Sequence, residues 1–231
     1  QYAAQYVRAL PARHLQALVE KTGLTSQEPA LWEEIARKVV LVRDGLLWRQ
    51  DSTFDYLEPM DIATAKTGDV PLYRTISFDR LQRYQVLKQP DVLMYMALRP
   101  ECFSDTEVRA AWAYYEPRTL HDSTLSFGIH ALLAARYGFA RATEYFEKSL
   151  FLDLKNVMGN TANEGIHTAA LGATWQAMVL GFGGLEERGG ALHVSDHLPE
   201  TLTAMRYRVQ WHGTRYEIRL RRGEAPTVQK L

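Results

Sequence analysis

The sequence predicts a mainly helical protein that ends in a small antiparallel β region. Apolar residues recur at helical spacing over most of the chain, until Gly183 and Gly184 close the last helical stretch. After Gly184 the period changes to two, in "YRVQW" and "YEIRL" on either side of a short "HGT" turn. Because the helical stretches follow one another through short polar and aromatic loops, the pattern favours a helical-hairpin array or an α/α barrel.

The N-terminal quarter of the chain predicts two helical regions and a turn-rich segment. A helical pattern covers residues 3–21, where Pro11 is expected to kink or split the helix. A second helix is predicted to start at Ser26, with Pro29 in its first turn. Residues 44–59 contain many turn-forming residues, which predicts a loop or a short pair of strands.

The middle of the chain carries clear start and stop signals for helices. Ser104 and Glu107 form a capping-box pattern, and Gly138 is the predicted hinge of a helix pair. Pro90 is expected to interrupt a helical region. The predicted helical ranges are residues 79–88, 91–98, 105–116, 123–137, 140–154 and 164–182.

Composition excludes several functional classes. The 27 Lys and Arg residues balance the 27 Asp and Glu residues, whereas a nucleic-acid surface would show a basic excess. The apolar residues 169–185 are interrupted by polar side chains and glycines, so we interpret them as a buried helix and expect no membrane partner. Cys102 is the single cysteine, which favours a reducing, cytoplasmic location. The chain opens at Gln1 inside a helical pattern with no capping residue, so we expect a fragment of a longer protein.

The first of three polar clusters is "QVLKQPDVLMYM". Lys88 and Gln89 precede Pro90 at a predicted helix start, and together they can donate hydrogen bonds to sugar hydroxyls or to an anion. The alternative, which the pattern alone favours, is an exposed lysine next to a solvated glutamine.

The second cluster is "YYEPRTLHDSTLSFGIHALLAARYG". Asp122 or Ser123 is a candidate N-cap for the helix that follows, and on the pattern alone capping is the favoured interpretation. The amide groups at that helix start, with His121, Ser123 and Ser126 beside them, would also suit an anion.

The third cluster is "NTANEGIHTAALGATW". Glu164 and His167 are three residues apart and are predicted to share a helix face. Such a pair can bind metal in helical bundles, but no companion pair occurs here, so we expect no metal site. A buried histidine with satisfied hydrogen bonds is the competing interpretation. Among the aromatic residues, Trp48 and Phe54 are expected to line a pocket in which sugar rings stack.

Taken together, these motifs resemble glycoside hydrolase family 65. The resemblance rests on "KQPDVLMYM", "YYEPRTLHDSTLSFGIHALLAARYG", "NTANEGIHTAALGATWQAMVLGFGGL" and "LPETLTAMRYRVQWHG", which occur in the expected order over nearly the whole chain. The family contains the maltose, trehalose, kojibiose and nigerose phosphorylases. The resemblance implies that residues 1–184 form the later helices of an (α/α)6-barrel catalytic domain and that residues 185–231 begin a C-terminal β domain.

The resemblance also implies a reaction and its residues. Inorganic phosphate would attack the anomeric carbon of an α-glucosyl disaccharide with inversion, which gives β-glucose 1-phosphate and a free sugar without any cofactor. Lys88 and Gln89 match the residues that hold the glucosyl ring. His121, Ser123 and His167 stand where the family builds its phosphate site, and Glu164 is expected to orient His167 as a supporting residue.

The sequence departs from the family pattern at one important point. The general-acid glutamate of the family lies in a motif that would precede Gln1, so no catalytic proton donor is expected within these residues. Pro90 and Thr124 are milder substitutions. Two alternatives therefore stay open, namely a family 65 α-glucoside hydrolase and a non-catalytic helical interaction module. A homodimer is the assembly that the resemblance implies.

Overall fold

The computed structural model describes residues 2–68, 70–89 and 91–231, which belong to two units, Gln1–Val42 and Arg43–Leu231. The helix interruption predicted at Pro90 lies outside the described residues. Among the described residues, no helix has the length and apolar character that crossing a membrane requires. The predicted class, mainly helical with small antiparallel sheets, is confirmed.

The first unit contains helices α1 (Tyr2–Ala9), α2 (Ala12–Thr22) and α3 (Glu28–Lys38). Pro11 separates α1 from α2, as its missing N–H and fixed φ predict. The predicted cap at Ser26 is wrong, because Gln27 is the N-cap residue and has no capping side chain. The carboxylate of Glu28 instead accepts hydrogen bonds from the backbone N–H and the hydroxyl of Thr25.

The helices of the second unit include one that is buried. In order they are α4 (Ile62–Ala65), α5 (Phe78–Leu81), α6 (Asp91–Leu98), α7 (Asp105–Tyr115), α8 (Ser126–Tyr137), α9 (Ala142–Leu150), α10 (Thr161–Glu164) and α11 (Thr168–Gln176), which continues as a π-helical segment, Ala177–Phe182. Every residue of α8 from Ser126 to Ala135 is buried. Helices α6, α9, α11 and the π-helical segment all pack against α8.

Glycine allows the close approach of α8 to α11. A Cβ atom on Gly128 would lie 2.6 Å from the Cβ of Ala173, which is shorter than any real contact. At the other end of α8, Gly138 adopts φ 68° and closes the helix, which confirms the predicted hinge to α9. The capping box at Ser104 and Glu107 is likewise confirmed at the start of α7.

The predicted helix 164–182 is interrupted. Gly165 has φ 77° and ψ −162°, so α10 ends at Glu164 and α11 begins only at Thr168. The reason is a side chain distant in sequence. The backbone N–H of His167 donates to the Asp153 carboxylate at 2.8 Å, where a continuous helix would use a main-chain carbonyl.

Short strands complete the second unit. Strands β1 (Arg43–Asp44) and β2 (Leu47–Trp48) form the predicted strand pair, and β3 (Leu185–Arg188) pairs with β4 (Ala191–Val194). Strands β5 (Ala204–Trp211), β6 (Thr214–Arg221) and β7 (Thr227–Lys230) form an antiparallel sheet in that order.

The predicted hairpin between β5 and β6 is confirmed. Trp211 pairs with Thr214, and His212 and Gly213 both have positive φ between them, as a type I′ turn requires. The hydroxyl of Tyr207 donates to the carbonyl of Gly183 at 2.7 Å, so this sheet is tied to the end of the π-helical segment.

Candidate functional site

The start of α8 differs from the predicted capped helix. The helix begins at Ser126, and its N-cap residue Leu125 offers no side-chain cap. The prediction that Asp122 or Ser123 caps α8 is therefore wrong. Within the described residues, the hydroxyl of Ser123 accepts a hydrogen bond from the N–H of Leu125, at 3.4 Å.

Asp122 anchors a different segment of the chain. Its buried carboxylate forms an ion pair with Lys66 at 2.6 Å and accepts the backbone N–H groups of Leu72 and Tyr73. The Lys66 ammonium also donates to the carbonyl of Leu120. The lysine and the carboxylate are almost fully enclosed, so each charge depends on the other for compensation.

His121 lies in an aromatic and histidine-rich environment. Its ring stacks on Phe127 at 5.0 Å and contacts His130 at 4.5 Å and Tyr145 at 5.3 Å between ring centroids. Its Nδ1 atom is 2.8 Å from the hydroxyl of Ser126. Burial and the neighbouring His130 hold the pKa of His121 well below its usual range, so the ring is neutral near pH 7.

His130 reinforces this neutral environment. Its side chain is fully enclosed, and its Nδ1 atom contacts the carbonyl of Ser126 at 3.0 Å. Its Nε2 atom has no hydrogen-bond partner among the residues that the structure describes. Burial lowers the pKa of His130 to about 4. Two adjacent imidazole rings are thus both neutral at the start of α8.

A cavity of about 570 Å³ opens beside His121. Its charged and aromatic lining includes His121, Phe127, Glu116, Lys66, Arg141 and Lys148. Ser123 and His167 are not among the described residues that line it.

The cations of this cavity already have anionic partners. Arg141 forms ion pairs with Glu116 at 3.0 Å and with Glu144 at 2.8 Å, and Lys148 lies 3.4 Å from Glu144. The hydrogen bond from Arg141 lowers the pKa of Glu144 to about 2. The cavity is therefore polar but nearly compensated in charge, which weakens its attraction for a phosphate dianion.

The start of α11 has the opposite electrostatic character. The Nδ1 atom of His167 lies 2.7 Å from a carboxylate oxygen of Asp153, and its Nε2 atom lies 3.3 Å from Glu164. The hydrogen bond to Asp153 is the main reason that the pKa of His167 is raised, and Glu164 adds to the effect. The imidazolium form of His167 is thereby favoured, which makes its ring a charged hydrogen-bond donor.

The predicted helix face shared by Glu164 and His167 is wrong, since the helix is broken at Gly165 between them. The two side chains nevertheless meet, because the turn at Gly165 brings the chain back. Asp153 is the functional neighbour that the sequence did not indicate. It precedes His167 by 14 residues in an irregular segment, and no local spacing rule connects them.

Lys88 and Gln89 lie next to the segment that precedes α8. Leu87 donates to the carbonyl of Arg118 and accepts from Leu120, and the carbonyl of Lys88 accepts the N–H of Asp122. The side chain of Lys88 is exposed, with its ammonium 5.5 Å from the centroid of the Phe78 ring. The amide of Gln89 donates to Asp91 at 3.4 Å.

The structure brings some of the predicted site residues next to one another. The backbone places Lys88 and Gln89 beside His121, Asp122 and Ser123. No hydrogen bond, ion pair or ring contact within residues 2–68, 70–89 and 91–231 connects His167 with His121 or Ser123. Convergence of the three predicted phosphate ligands stays a prediction.

The aromatic pocket predicted at Trp48 and Phe54 is wrong. Phe54 is buried in the hydrophobic core, and Trp48 packs against that core while its indole N–H donates to Glu107 at 3.1 Å. In the part of the chain that the structure describes, no group of three or more His, Cys, Asp or Glu side chains is placed to hold a metal ion.

Comparison with known proteins gives two family matches along the chain. Residues 1–176 match the glycosyl hydrolase family 65 central catalytic domain, and residues 185–228 match the C-terminal domain of that family.

Individual proteins that the chain resembles include phosphorylases. A kojibiose phosphorylase from Caldanaerobacter subterraneus subsp. tengcongensis is 35% identical over 220 residues, which are 93% of this chain and 28% of the relative. An α,α-trehalose phosphorylase from Thermoanaerobacter brockii is 32% identical over 89% of this chain and 27% of its own length. The solved structure of a human-microbiome protein assigned as a kojibiose phosphorylase superimposes with a TM-score of 0.79 at 32% identity and covers 93% of this chain and 29% of that one. The chain thus spans less than a third of the length of each of these relatives.

Proposed function

The chain belongs to glycosyl hydrolase family 65, and from this membership we propose that the protein cleaves an α-glucosyl disaccharide with inorganic phosphate. An oxygen of phosphate forms a bond to the anomeric carbon as the bond to the glycosidic oxygen breaks. The departing oxygen takes a proton from a carboxylic acid. The products are β-glucose 1-phosphate, with inverted configuration, and a free sugar.

The observation that carries this proposal is the position of the His167 ring between the carboxylates of Asp153 and Glu164. A nucleophilic phosphate needs charged or neutral donors, whereas a hydrolase needs a carboxylate that can take a proton from water. At the start of α11 the carboxylate of Asp153 makes three hydrogen bonds, two with His167 and one with the hydroxyl of Thr161. Its hydrogen bond to the ring raises the pKa of His167. This arrangement favours a bound anion over an activated water molecule.

The remaining site residues divide between phosphate and sugar. We assign His121 and Ser123 to the phosphate side, where His121 contributes a neutral ring, and we assign Glu164 a supporting position beside His167. Lys88 and Gln89 are assigned to the glucosyl ring, since they lie next to the same segment and offer an ammonium and an amide to hydroxyl groups.

The general acid is expected outside residues 1–231, on the N-terminal side. We keep the division into a barrel domain, residues 1–184, and a C-terminal β domain, residues 185–231. The two family matches, which fall on either side of this boundary, support it. We further propose that the enzyme is cytoplasmic, that it needs no cofactor and that it forms a homodimer. The single cysteine and the metal-free reaction support the first two of these points.

A disaccharide screen on the full-length protein tests the proposal. Trehalose, kojibiose, maltose and nigerose are incubated with and without inorganic phosphate, and the products are followed by proton NMR of the anomeric signals. We expect β-glucose 1-phosphate from at least one sugar, only when phosphate is present. Release of glucose without phosphate would indicate the hydrolase, and cleavage of none of the four would contradict phosphorolysis of these disaccharides.

A further inference from the structure

His167 lies between two carboxylates that differ in exposure. The side chain of Asp153 is 9% exposed, whereas that of Glu164 is 56% exposed. A buried partner is held in one position by its surroundings, while an exposed partner can leave at little energetic cost. The two carboxylates are therefore suited to different tasks.

Asp153 fixes the ring of His167 from the inner side. One carboxylate oxygen accepts the backbone N–H of His167 at 2.8 Å, and the other lies 2.7 Å from its Nδ1 atom. The hydroxyl of Thr161 donates to the latter oxygen at 3.2 Å and holds the carboxylate in place. Because Nδ1 is occupied, Nε2 is the ring atom that remains for an external partner.

Glu164 occupies the outer side of the same ring. Its carboxylate is 3.3 Å from Nε2, a long contact for a charged pair, and it also accepts the side-chain amide of Asn160 at 2.9 Å. In the imidazolium form, the Nε2 atom has a single proton to donate. An anion oxygen that binds this proton must take the position that the Glu164 oxygen holds.

We propose that Asp153 is the positioning residue that presents Nε2 of His167 to phosphate, and that Glu164 holds the anion position until phosphate displaces it. The inference rests on the proposed function, because it concerns the phosphate ligand His167. It assigns the permanent contact to Asp153 and the exchangeable contact to Glu164, whereas the sequence pattern indicates only Glu164.

The charges around His167 set the expected pH dependence. Among the described residues, the charged groups that act on the ring are Asp153, which follows α9, and Glu164, at the end of α10. Both favour the protonated ring, and Asp153 has the larger effect. Loss of Asp153 should therefore lower the pKa of His167 and weaken phosphate binding. Loss of Glu164 removes a competing anion and should strengthen phosphate binding.

The test uses NMR of the full-length protein with ¹³C-labelled histidines. The signal that disappears in the His167→Ala variant is the signal of this ring. The ring pKa and its response to inorganic phosphate at constant ionic strength are measured in Asp153→Asn, Glu164→Gln and a matched control, Glu147→Gln. Glu147 is an exposed acid on α9, and the hydrogen bonds and ion pairs of the His167 ring within the described residues involve Asp153, Glu164 and Asn160 instead. We expect Asp153→Asn to weaken phosphate binding about tenfold, Glu164→Gln to tighten it several-fold, and the control to change neither.

The inference and the proposed function fail in different ways. An unchanged ring pKa in Asp153→Asn, or weaker binding in Glu164→Gln, would overturn the assignment of the two carboxylates. If phosphate does not move the His167 signal of the unchanged protein, His167 is not a phosphate ligand, although the pKa effect of Asp153 would still be measurable. If Asp153→Asn does not fold, the assignment is tested by whether Glu164→Gln tightens or weakens phosphate binding.

Discussion

The starts of α8 and α11 carry the same residue type in opposite electrostatic states. His121 is surrounded by aromatic rings and a second histidine, and its pKa is lowered. His167 is enclosed by two carboxylates, and its pKa is raised. The pKa values of two histidines that the sequence assigns to one anion are therefore shifted in opposite directions.

This difference separates two ways of binding an anion. A neutral imidazole contributes one ordinary hydrogen bond, whereas an imidazolium contributes a charge-assisted bond that is roughly twice as strong. The start of α11 should therefore dominate phosphate affinity. The start of α8 should contribute mainly to the shape of the site and to the placement of Lys88 and Gln89 beside it.

The largest expected effect concerns stability at the start of α8. Asp122→Ala leaves the enclosed ammonium of Lys66 without its counter-charge and deprives two backbone N–H groups of their acceptor. We expect the free energy of unfolding to fall by about 3–5 kcal/mol, measured by denaturant unfolding. Asp79→Ala, at an exposed acid of α5, is the control. A loss of only about 1 kcal/mol would indicate that Asp122 is an ordinary helix cap after all.

The second expected effect separates the two histidines directly. His167→Ala in the full-length protein should raise the KM for phosphate by roughly 10- to 100-fold, since a hydrogen bond to a charged group is lost. His121→Ala should raise it less. The dissociation constant for the disaccharide, measured by calorimetry without phosphate, is the internal control. Equal losses for phosphate and disaccharide would contradict the assignment of His167 to phosphate.

Local signals in the sequence predicted much of the fold. The capping box at Ser104, the break at Pro11, the hinge at Gly138 and the hairpin between β5 and β6 all depend on residues within a few positions of one another. Features set by distant residues were missed. Asp122 binds a backbone amide 50 residues away instead of capping α8, and Asp153 draws the chain out of a helix 14 residues later.

The site was predictable only in part, for the same reason. The residue types and the proximity of Lys88 to the segment before α8 follow from motifs along the chain. The charge states do not, because they depend on neighbours such as His130 and Asp153 that only the folded chain supplies. The pocket predicted at Trp48 and Phe54 was wrong because a turn-rich segment can still bury its aromatic residues.

A third, smaller effect contrasts the capped helix α7 with the uncapped helix α8. Ser104→Ala should lower the free energy of unfolding by about 1 kcal/mol, because the hydroxyl accepts the N–H of Glu107. Ser123→Ala should change it by only a few tenths of a kcal/mol, since the hydrogen bond that its hydroxyl accepts from Leu125 is 3.4 Å long. Equal losses in denaturant unfolding would mean that Ser123 does cap α8.

The pH dependence of stability is expected to have opposite signs at the two sites. His167 has a raised pKa, so its contribution is complete below the unfolded value near 6.5 and is lost as the pH rises through its folded pKa. His130, with a pKa of about 4, stays neutral in the fold, so protonation of the unfolded chain removes stability as the pH falls from 6.5 towards 4.

Unfolding curves across this pH range check the signs. His167→Gln should lose more stability at pH 6 than at pH 9, whereas His130→Gln should reduce the loss of stability between pH 6.5 and 4. Identical pH profiles for the two variants would show that the two environments do not differ in the proposed way.

The crystal structure of the full-length protein with inorganic phosphate tests the central claim most directly. The account predicts a phosphate oxygen about 2.7–3.1 Å from Nε2 of His167, with Glu164 displaced from the ring and Asp153 still bound to Nδ1. Phosphate bound elsewhere, with the Glu164 carboxylate still on Nε2, would contradict it.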